Sequence, residues 1–143
     1  MFLFFNQAKA LLLASYSTGS VTIENKVVTA NKIIPINNKD GKVLIYKQSD
    51  KFFGKVSSGK DGSRKDIHNP DAKLKEQNIV GSIILKGFDF TGKAWENGTI
   101  YDPNNGKTYS CTMKMKNANE LEIRGFIGIS LFGRTQYWSR IKN

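Results

Sequence analysis

The stretch SCTMKMKNANELEIRG, residues 110–125, decides the fold of this chain. Its first half alternates, so that Cys111, Met113 and Met115 point to one side of an extended strand and their polar neighbours to the other. After the polar turn NAN, Leu121 and Ile123 alternate with charged residues in the same way. This period of two is typical of an antiparallel sheet with one buried and one solvated face.

Strand-like patterns continue on both sides of this stretch. GKVLIYKQSDKFFGKV, residues 41–56, predicts a hairpin that turns at residues 48–50, and DPNNG, residues 102–106, predicts a further turn. The spacing predicts an all-β fold of seven or eight short antiparallel strands. Their meander order favours an up-and-down β-barrel, since closure removes exposed sheet edges. One short helix is predicted near residues 70–77.

The chain of 143 residues is long enough for one domain with a core of its own. We assign residues 21–143 to a single β-barrel domain. Residues 1–20, MFLFFNQAKALLLASYSTGS, form an atypical segment that is either signal-like or docks on the fold, because its charge comes late and its apolar run is short. No stretch has the length and hydrophobicity of a transmembrane helix.

The net charge of +10 would attract nucleic acid, anionic lipid or acidic glycans. The lysines are dispersed along the chain, and no nucleic-acid-binding motif accompanies them, which argues against nucleic acid as the partner. A single cysteine allows no internal disulfide, and no nucleophile with a base, phosphate-binding loop or metal-ligand spacing is present. We therefore expect a protein that is not an enzyme and holds no metal or cofactor.

The only histidine lies in SRKDIHNPDAKLKEQ, residues 63–77. Asn69 followed by Pro70 predicts a helix start, because an asparagine can accept from first-turn amides and proline is tolerated at the first helical position. Asp66 and His68 precede this cap in extended backbone, without a catalytic partner in sequence. We interpret His68 as a structural latch between loop and helix; a ligand contact or a pH-sensitive role is the alternative.

Four motifs together resemble a bacterial family known as domain of unknown function 2147: DIHNPDAKLKEQNIVG, ILKGF, NGTIYDPNNGKTY and RGFIGISLFGRTQYWSR. The resemblance covers roughly residues 40–142. It implies a small lipocalin-like β-barrel, exported to the periplasm or secreted, without an established catalytic activity. Family members usually begin with a clearer export signal and a Gly-x-Trp entry to the first strand, whereas the tryptophans here are Trp95 and Trp138.

The motif residues carried over from the resemblance also have structural explanations. In YDPNNG, residues 101–106, the turn begins at Asp102, and Pro103 and Gly106 suit it. Three glycines among large apolar residues suit a tightly curved strand or a corner, and these are Gly125, Gly128 and Gly133.

The function predicted first is the binding of a small apolar or amphipathic ligand, similar to a fatty acid, in the barrel interior. The candidate ligand-binding residues are Phe53, Ile83, Leu85, Tyr101, Met113, Met115, Ile123, Phe126, Arg134 and Trp138. The same side chains could instead fill a solid barrel that acts in protein–protein interaction. A second alternative is a cationic surface module for nucleic acid or anionic envelope components.

Overall fold

The computed structural model describes residues 30–31, 41–59 and 62–140. Seven strands and one two-residue segment form a single sheet. The segment is β1 (Ala30–Asn31), and the strands are β2 (Gly41–Gln48), β3 (Lys51–Gly59), β4 (Ile83–Phe90), β5 (Ala94–Asp102), β6 (Lys107–Asn117), β7 (Glu120–Phe126) and β8 (Arg134–Ser139).

The strands follow one another in the sheet in chain order, and every neighbouring pair is antiparallel. The predicted all-β, up-and-down antiparallel fold is therefore confirmed, with the sheet curled into a half-barrel. The signal-like or docking segment predicted at residues 1–20 lies outside the described residues. No helix among the described residues is long and apolar enough to cross a membrane.

The hairpin of β6 and β7 has the faces that the alternation predicted. Met113 pairs with Ile123 and Met115 with Leu121, and these four side chains lie on the concave, inner face of the sheet. The turn between the strands is closed locally, because the side-chain oxygen of Asn117 accepts from the Asn119 amide at 2.9 Å. Polar residues between the apolar ones lie on the outer face.

The core fills the concave side of the sheet with large side chains from every strand between β2 and β8. Trp138 on β8 pairs with Leu121 and is fully buried, as is Phe88 on β4. Phe52, Phe90 and Trp95 form an aromatic cluster at the end of the sheet where β4 turns into β5. This packing joins the first and last long strands through one apolar interior.

Two irregular residues in adjacent strands reverse the alternation of β4 and β5. Gly87 has a φ of 75° and Asn97 has a φ of 60°, and the register between β5 and β6 shifts at the same level. As a result Phe88 turns inward and packs over Gly98, where an added Cβ would lie 2.3 Å from the ring. The bulges bend the sheet and bring an aromatic ring into the core.

The helix predicted near residues 70–77 is wrong in extent and in its cap. The structure has a single 3₁₀ turn at Ala72–Leu74, and its cap is Asp71, whose carboxylate accepts from the Lys73 amide at 2.9 Å. Asn69 acts one step earlier, accepting from the Asp71 amide at 2.9 Å. An α-helix cannot continue here because residues 77–79 pair with residues 64–66 through their backbones.

The corner predicted from the glycines of RGFIGISLFGR lies between β7 and β8. Gly128 has a φ of 72°, and a second 3₁₀ turn follows at Ser130–Phe132. A Cβ on Gly133 would lie 2.8 Å from the Gly125 carbonyl oxygen, so the loop can return closely over β7 only with glycine at this position. We call residues 127–133 the β7–β8 loop.

Candidate functional site

Residues 62–82, here called the β3–β4 segment, fold back onto the outer face of the sheet. The segment forms its own antiparallel link, in which the Asp66 amide donates to Gln77 and the Ile79 amide donates to Arg64. Its end is tied to β3, because Val56 exchanges backbone hydrogen bonds with Ser82 and Gly81. Ile79 enters the core and anchors the segment there.

A buried carboxylate joins this segment to β5. Asp66 is only 4% exposed, and its two oxygens accept from the Tyr101 hydroxyl and from the Asn69 side-chain amide, each at 2.7 Å. A buried carboxylate requires such donors because it loses its water shell. Burial, with the hydrogen bond to Asp66, raises the pKa of the Tyr101 hydroxyl well above its ordinary value, so Tyr101 acts as a neutral donor.

A second carboxylate organises the turn between β5 and β6. Asp102 is fully buried, and its oxygens accept from the Asn104 amide at 2.9 Å and the Asn105 side-chain amide at 3.2 Å. Burial raises the pKa of Asp102, while the hydrogen bond from Asn104 and the charge of Arg64 oppose this shift. Arg64 also donates to the Asn104 side-chain oxygen at 3.0 Å.

The segment and the turn also meet through backbone atoms. Gly106 has a φ of 70°, and an added Cβ would lie 1.8 Å from the carbonyl oxygen of His68. The His68 side chain itself is exposed. The predicted latch at His68 is thus a contact of its backbone with the β5–β6 turn, and the imidazole takes no part in it. Pro103 is buried beside Asp102 in this turn.

An open cleft of about 470 Å³ lies between the β3–β4 segment and the outer face of the sheet. The segment contributes one wall, with Asp66, Asn69, Pro70, Leu74, Gln77 and Asn78. The sheet contributes the floor, with Ile83, Lys86, Thr99, Tyr101 and Thr108. The floor, which Ile84 also lines, thus combines apolar side chains, three hydroxyls and one ammonium group. Such a mixture suits a small amphipathic molecule better than a purely apolar one.

The predicted ligand-binding residues divide between the two faces of the sheet. Leu85, Met113, Ile123 and Trp138 lie on the inner face and are 0–3% exposed, so other atoms of the chain occupy the space around them. Met115 is partly buried against the same core. Arg134 pairs with Gly125 on this side and is half-buried.

The remaining four candidates lie on the outer face, which corrects their assignment to the barrel interior. Phe53 stacks on Tyr46, with ring centroids 5.8 Å apart, and Phe126 pairs with the exposed Ser110. Ile83 and Tyr101 line the cleft. Regular alternation already points Phe53 and Phe126 outward, because the neighbouring Gly54 and Gly125 face inward. Ile83 and Tyr101 face outward because register irregularities occur in the pairing of β3 with β4 and of β5 with β6.

Several cleft residues were missed by the sequence interpretation, namely Lys86, Thr99, Thr108, Gln77 and Asn78. Lys86 and Thr99 are cross-strand partners, and an alternating strand marks both as outward-facing. The sequence contains no signal that a distant segment covers them, because the link depends on backbone pairing and on Asp66.

The topology and this cleft define a class: a small lipocalin-like half-barrel with a covered outer face. In a comparison with solved structures, this chain is similar to protein HP1028 from the human pathogen Helicobacter pylori, with a TM-score of 0.68 and 27% sequence identity. Protein HP1028 belongs to the lipocalin family. The similarity covers 76% of this chain and 77% of that one.

Residues 30–140 match the family described as "Uncharacterized protein conserved in bacteria (DUF2147)". This chain belongs to that family, as the four motifs predicted. A comparison with curated proteins found no match.

Proposed function

We propose that this protein binds a small amphipathic molecule with an acidic head group, such as a fatty acid, in the cleft beneath the β3–β4 segment. The lipocalin-like fold favours small-ligand binding in general. The observation that carries the location is the cleft itself, where the Lys86 side chain adjoins an apolar floor at Ile83.

The charges around the cleft support an anionic head group. Both oxygens of the Asp66 carboxylate are engaged by Tyr101 and Asn69, so this acid is held by the protein itself. Lys86 is exposed at the floor and can pair with a carboxylate, a charge-assisted contact stronger than a neutral one. The volume of about 470 Å³ falls in the usual range for small-molecule sites.

Titration with decanoate and with the neutral decanol tests the head-group assignment. We expect Lys86→Gln to weaken decanoate binding about tenfold, the loss of one charged hydrogen bond, and to leave decanol binding unchanged. The matched control is Lys93→Gln, which removes an exposed lysine from the opposite end of the sheet. Equal decanoate binding by wild type and Lys86→Gln would contradict the proposal.

Methyl NMR distinguishes binding in the cleft from binding in the barrel interior, which is the location that the sequence predicts. Binding in the cleft perturbs the methyl groups of Ile83, Thr99 and Thr108. Binding in the interior perturbs Met113 and Ile123 instead. Shifts confined to the second group would place the ligand in the core and refute the cleft.

We propose binding without turnover as the role of this site. Its buried acid is tied up by hydrogen bonds, and His68 is not among the residues that line the cleft. A His68→Ala variant should therefore bind decanoate as the wild type does. A turnover that this substitution abolishes, with the fold intact, would overturn the non-catalytic role.

We further propose that the protein is exported to the periplasm or secreted. The support is the apolar character of residues 1–20 together with the family resemblance. Fractionation of a Gram-negative host that expresses the full chain should recover it outside the cytoplasm. Recovery with the cytoplasmic fraction alone would contradict export.

A further inference from the structure

The β7–β8 loop presents large apolar side chains to solvent. Ile127, Ile129, Leu131 and Phe132 are 67%, 59%, 74% and 74% exposed. Single exposed apolar residues are common, but a contiguous group of this size on one loop indicates an interaction site.

Part of the backbone of this loop is hydrogen-bonded from within, although its side chains are exposed. The guanidinium of Arg124 donates to the carbonyl oxygens of Ser130 at 2.7 Å and Leu131 at 3.2 Å, and also to the Thr135 hydroxyl at 2.7 Å. The Gly133 amide donates to Ser130 at 3.1 Å. Each of these backbone bonds lowers the cost of moving the loop into an apolar environment, because a paired polar group loses less on leaving water.

The loop lies at the basic end of the molecule. The register of the strands places the loop at the same end of the sheet as the cleft. The β5–β6 turn lies at the cleft end, since Asp102 pairs with Lys107 there. The last residue of β7, Phe126, pairs with Ser110 near the start of β6, so the loop that follows Phe126 lies at this end too. Exposed lysines at this end lie on the β3–β4 segment (Lys65, Lys73 and Lys75) and on the strands beside it (Lys55, Lys86 and Lys107). The exposed carboxylates described there are Asp71 and Glu76.

At the opposite end of the sheet, ion pairs between lysines and carboxylates leave little net charge. Three of its lysines pair with carboxylates, with Lys51–Asp89 at 2.6 Å, Lys114–Glu122 at 3.3 Å and Lys116–Glu120 at 3.6 Å. The positive charge is therefore dispersed in sequence but concentrated in space. It lies at the same end of the sheet as the apolar loop, and the other end is nearly balanced.

We infer that the cleft end of the half-barrel docks on an anionic phospholipid surface, with the β7–β8 loop inserted among the acyl chains near the head groups. Apolar insertion combined with lysines on the same side of the molecule is the combination that binds peripheral proteins to anionic membranes. This inference does not rest on the proposed ligand site, and a membrane-docked protein could bind any ligand or none.

Co-sedimentation of the full chain with vesicles tests the docking. Vesicles containing phosphatidylglycerol should bind the protein at low salt, and vesicles of phosphatidylcholine alone should bind it at least about tenfold more weakly. The double variant Leu131→Gln/Phe132→Gln should lose about tenfold or more in affinity for the anionic vesicles. Tyr137→Gln, which changes an exposed aromatic residue on the outer face, should stay within about twofold. These sites are exposed, so circular dichroism should show unchanged folds.

A charge-matched pair tests the orientation. Lys107→Gln, at the cleft end, should weaken binding to anionic vesicles about fivefold. Lys93→Gln, which makes the same change in net charge at the opposite end, should weaken it less than about twofold.

Three results would overturn the inference. The first is binding of the Leu131→Gln/Phe132→Gln variant equal to wild type, which would place the membrane contact elsewhere in the chain. The second is an equal loss in the two lysine variants, which would indicate charge without orientation. The third is a dimer in sedimentation equilibrium that the loop variant dissociates, because a second copy would then occupy the loop.

Discussion

The hydroxyl of Tyr101 connects two parts of the chain that are 35 residues apart. It donates to Asp66, whose carboxylate is nearly inaccessible to water and has Asn69 as its other side-chain donor. The Tyr101 hydroxyl thus supplies one of the two side-chain hydrogen bonds that compensate the buried Asp66 carboxylate. The cost of removing it is therefore larger than the net value of an ordinary hydrogen bond.

Tyr101→Phe should lower the free energy of unfolding by about 1–3 kcal/mol, because it leaves a buried carboxylate oxygen without its donor. Urea denaturation measures the change. Tyr137→Phe is the matched control, since Tyr137 is exposed and its ring can keep the contact with Lys116, and it should change stability by less than about 0.5 kcal/mol. Equal changes in the free energy of unfolding for the two substitutions would show that the hydrogen bond to Asp66 does not stabilise the fold.

Asp102 should make stability depend on pH. Its pKa is raised above 3.8 by burial, so the folded state binds this proton more tightly than the unfolded state. The contribution of Asp102 is then most favourable below pH 3.8 and decreases as pH rises through the raised pKa. In Asp102→Asn the group no longer titrates. The stability of the variant relative to wild type should therefore increase with pH across this window, as measured by urea denaturation; a difference that stays level or falls would contradict the shift.

At the scale of elements, the β5–β6 turn approaches the β3–β4 segment closely at Gly106, where a side chain would collide with the segment's backbone. Gly106 and Gly128 have nearly the same backbone conformation, with φ values of 70° and 72°. The space around them differs, since the first faces the His68 carbonyl oxygen and the second faces open space. The two positions therefore separate backbone strain from steric contact.

Gly106→Ala should destabilise the protein by about 1–3 kcal/mol more than Gly128→Ala. Both substitutions introduce the strain of a positive φ in a residue with a Cβ, but only the Cβ at position 106 displaces the β3–β4 segment. Thermal and urea unfolding measure the difference. Amide exchange should also become faster in residues 64–79 of the Gly106 variant. Equal destabilisation by both variants would mean that the segment does not need this close approach.

At the scale of the whole molecule, a single apolar interior joins β2 to β8, and the two ends of the sheet differ in charge and in apolar exposure. The interior supplies stability, while the cleft and the β7–β8 loop lie outside it at one end. This separation allows the surface at the cleft end to vary without loss of the core.

Ile123→Val should lower the free energy of unfolding by about 0.5–1.5 kcal/mol, the usual cost of one buried methylene. Because Ile123 belongs to the common core, tryptophan fluorescence and far-ultraviolet circular dichroism should report the same shifted midpoint in urea. Separate midpoints for the two probes would indicate that the strands at the two ends of the sheet unfold independently.

Much of the fold could be predicted from the sequence because strand alternation and turn chemistry are local. Residues 111–124 show which side chains face inward, and the turns at residues 102–106 and 117–119 follow from asparagine, aspartate and glycine. The errors have local causes too. The bulges at Gly87 and Asn97 reverse the alternation, and backbone pairing of residues 77–79 stops the predicted helix after a single turn.

The sequence by itself determined the class of fold, the strand faces and the family, since each depends on neighbours within a few positions. Only the tertiary structure decided that the Asp66 and Tyr101 motifs meet, that a cleft opens over Lys86, and that lysines dispersed in sequence lie at the same end of the sheet as an apolar loop. Hydrogen bonds between distant segments and the order of strands in the sheet bring these groups together, and neither is encoded in any short stretch of the chain.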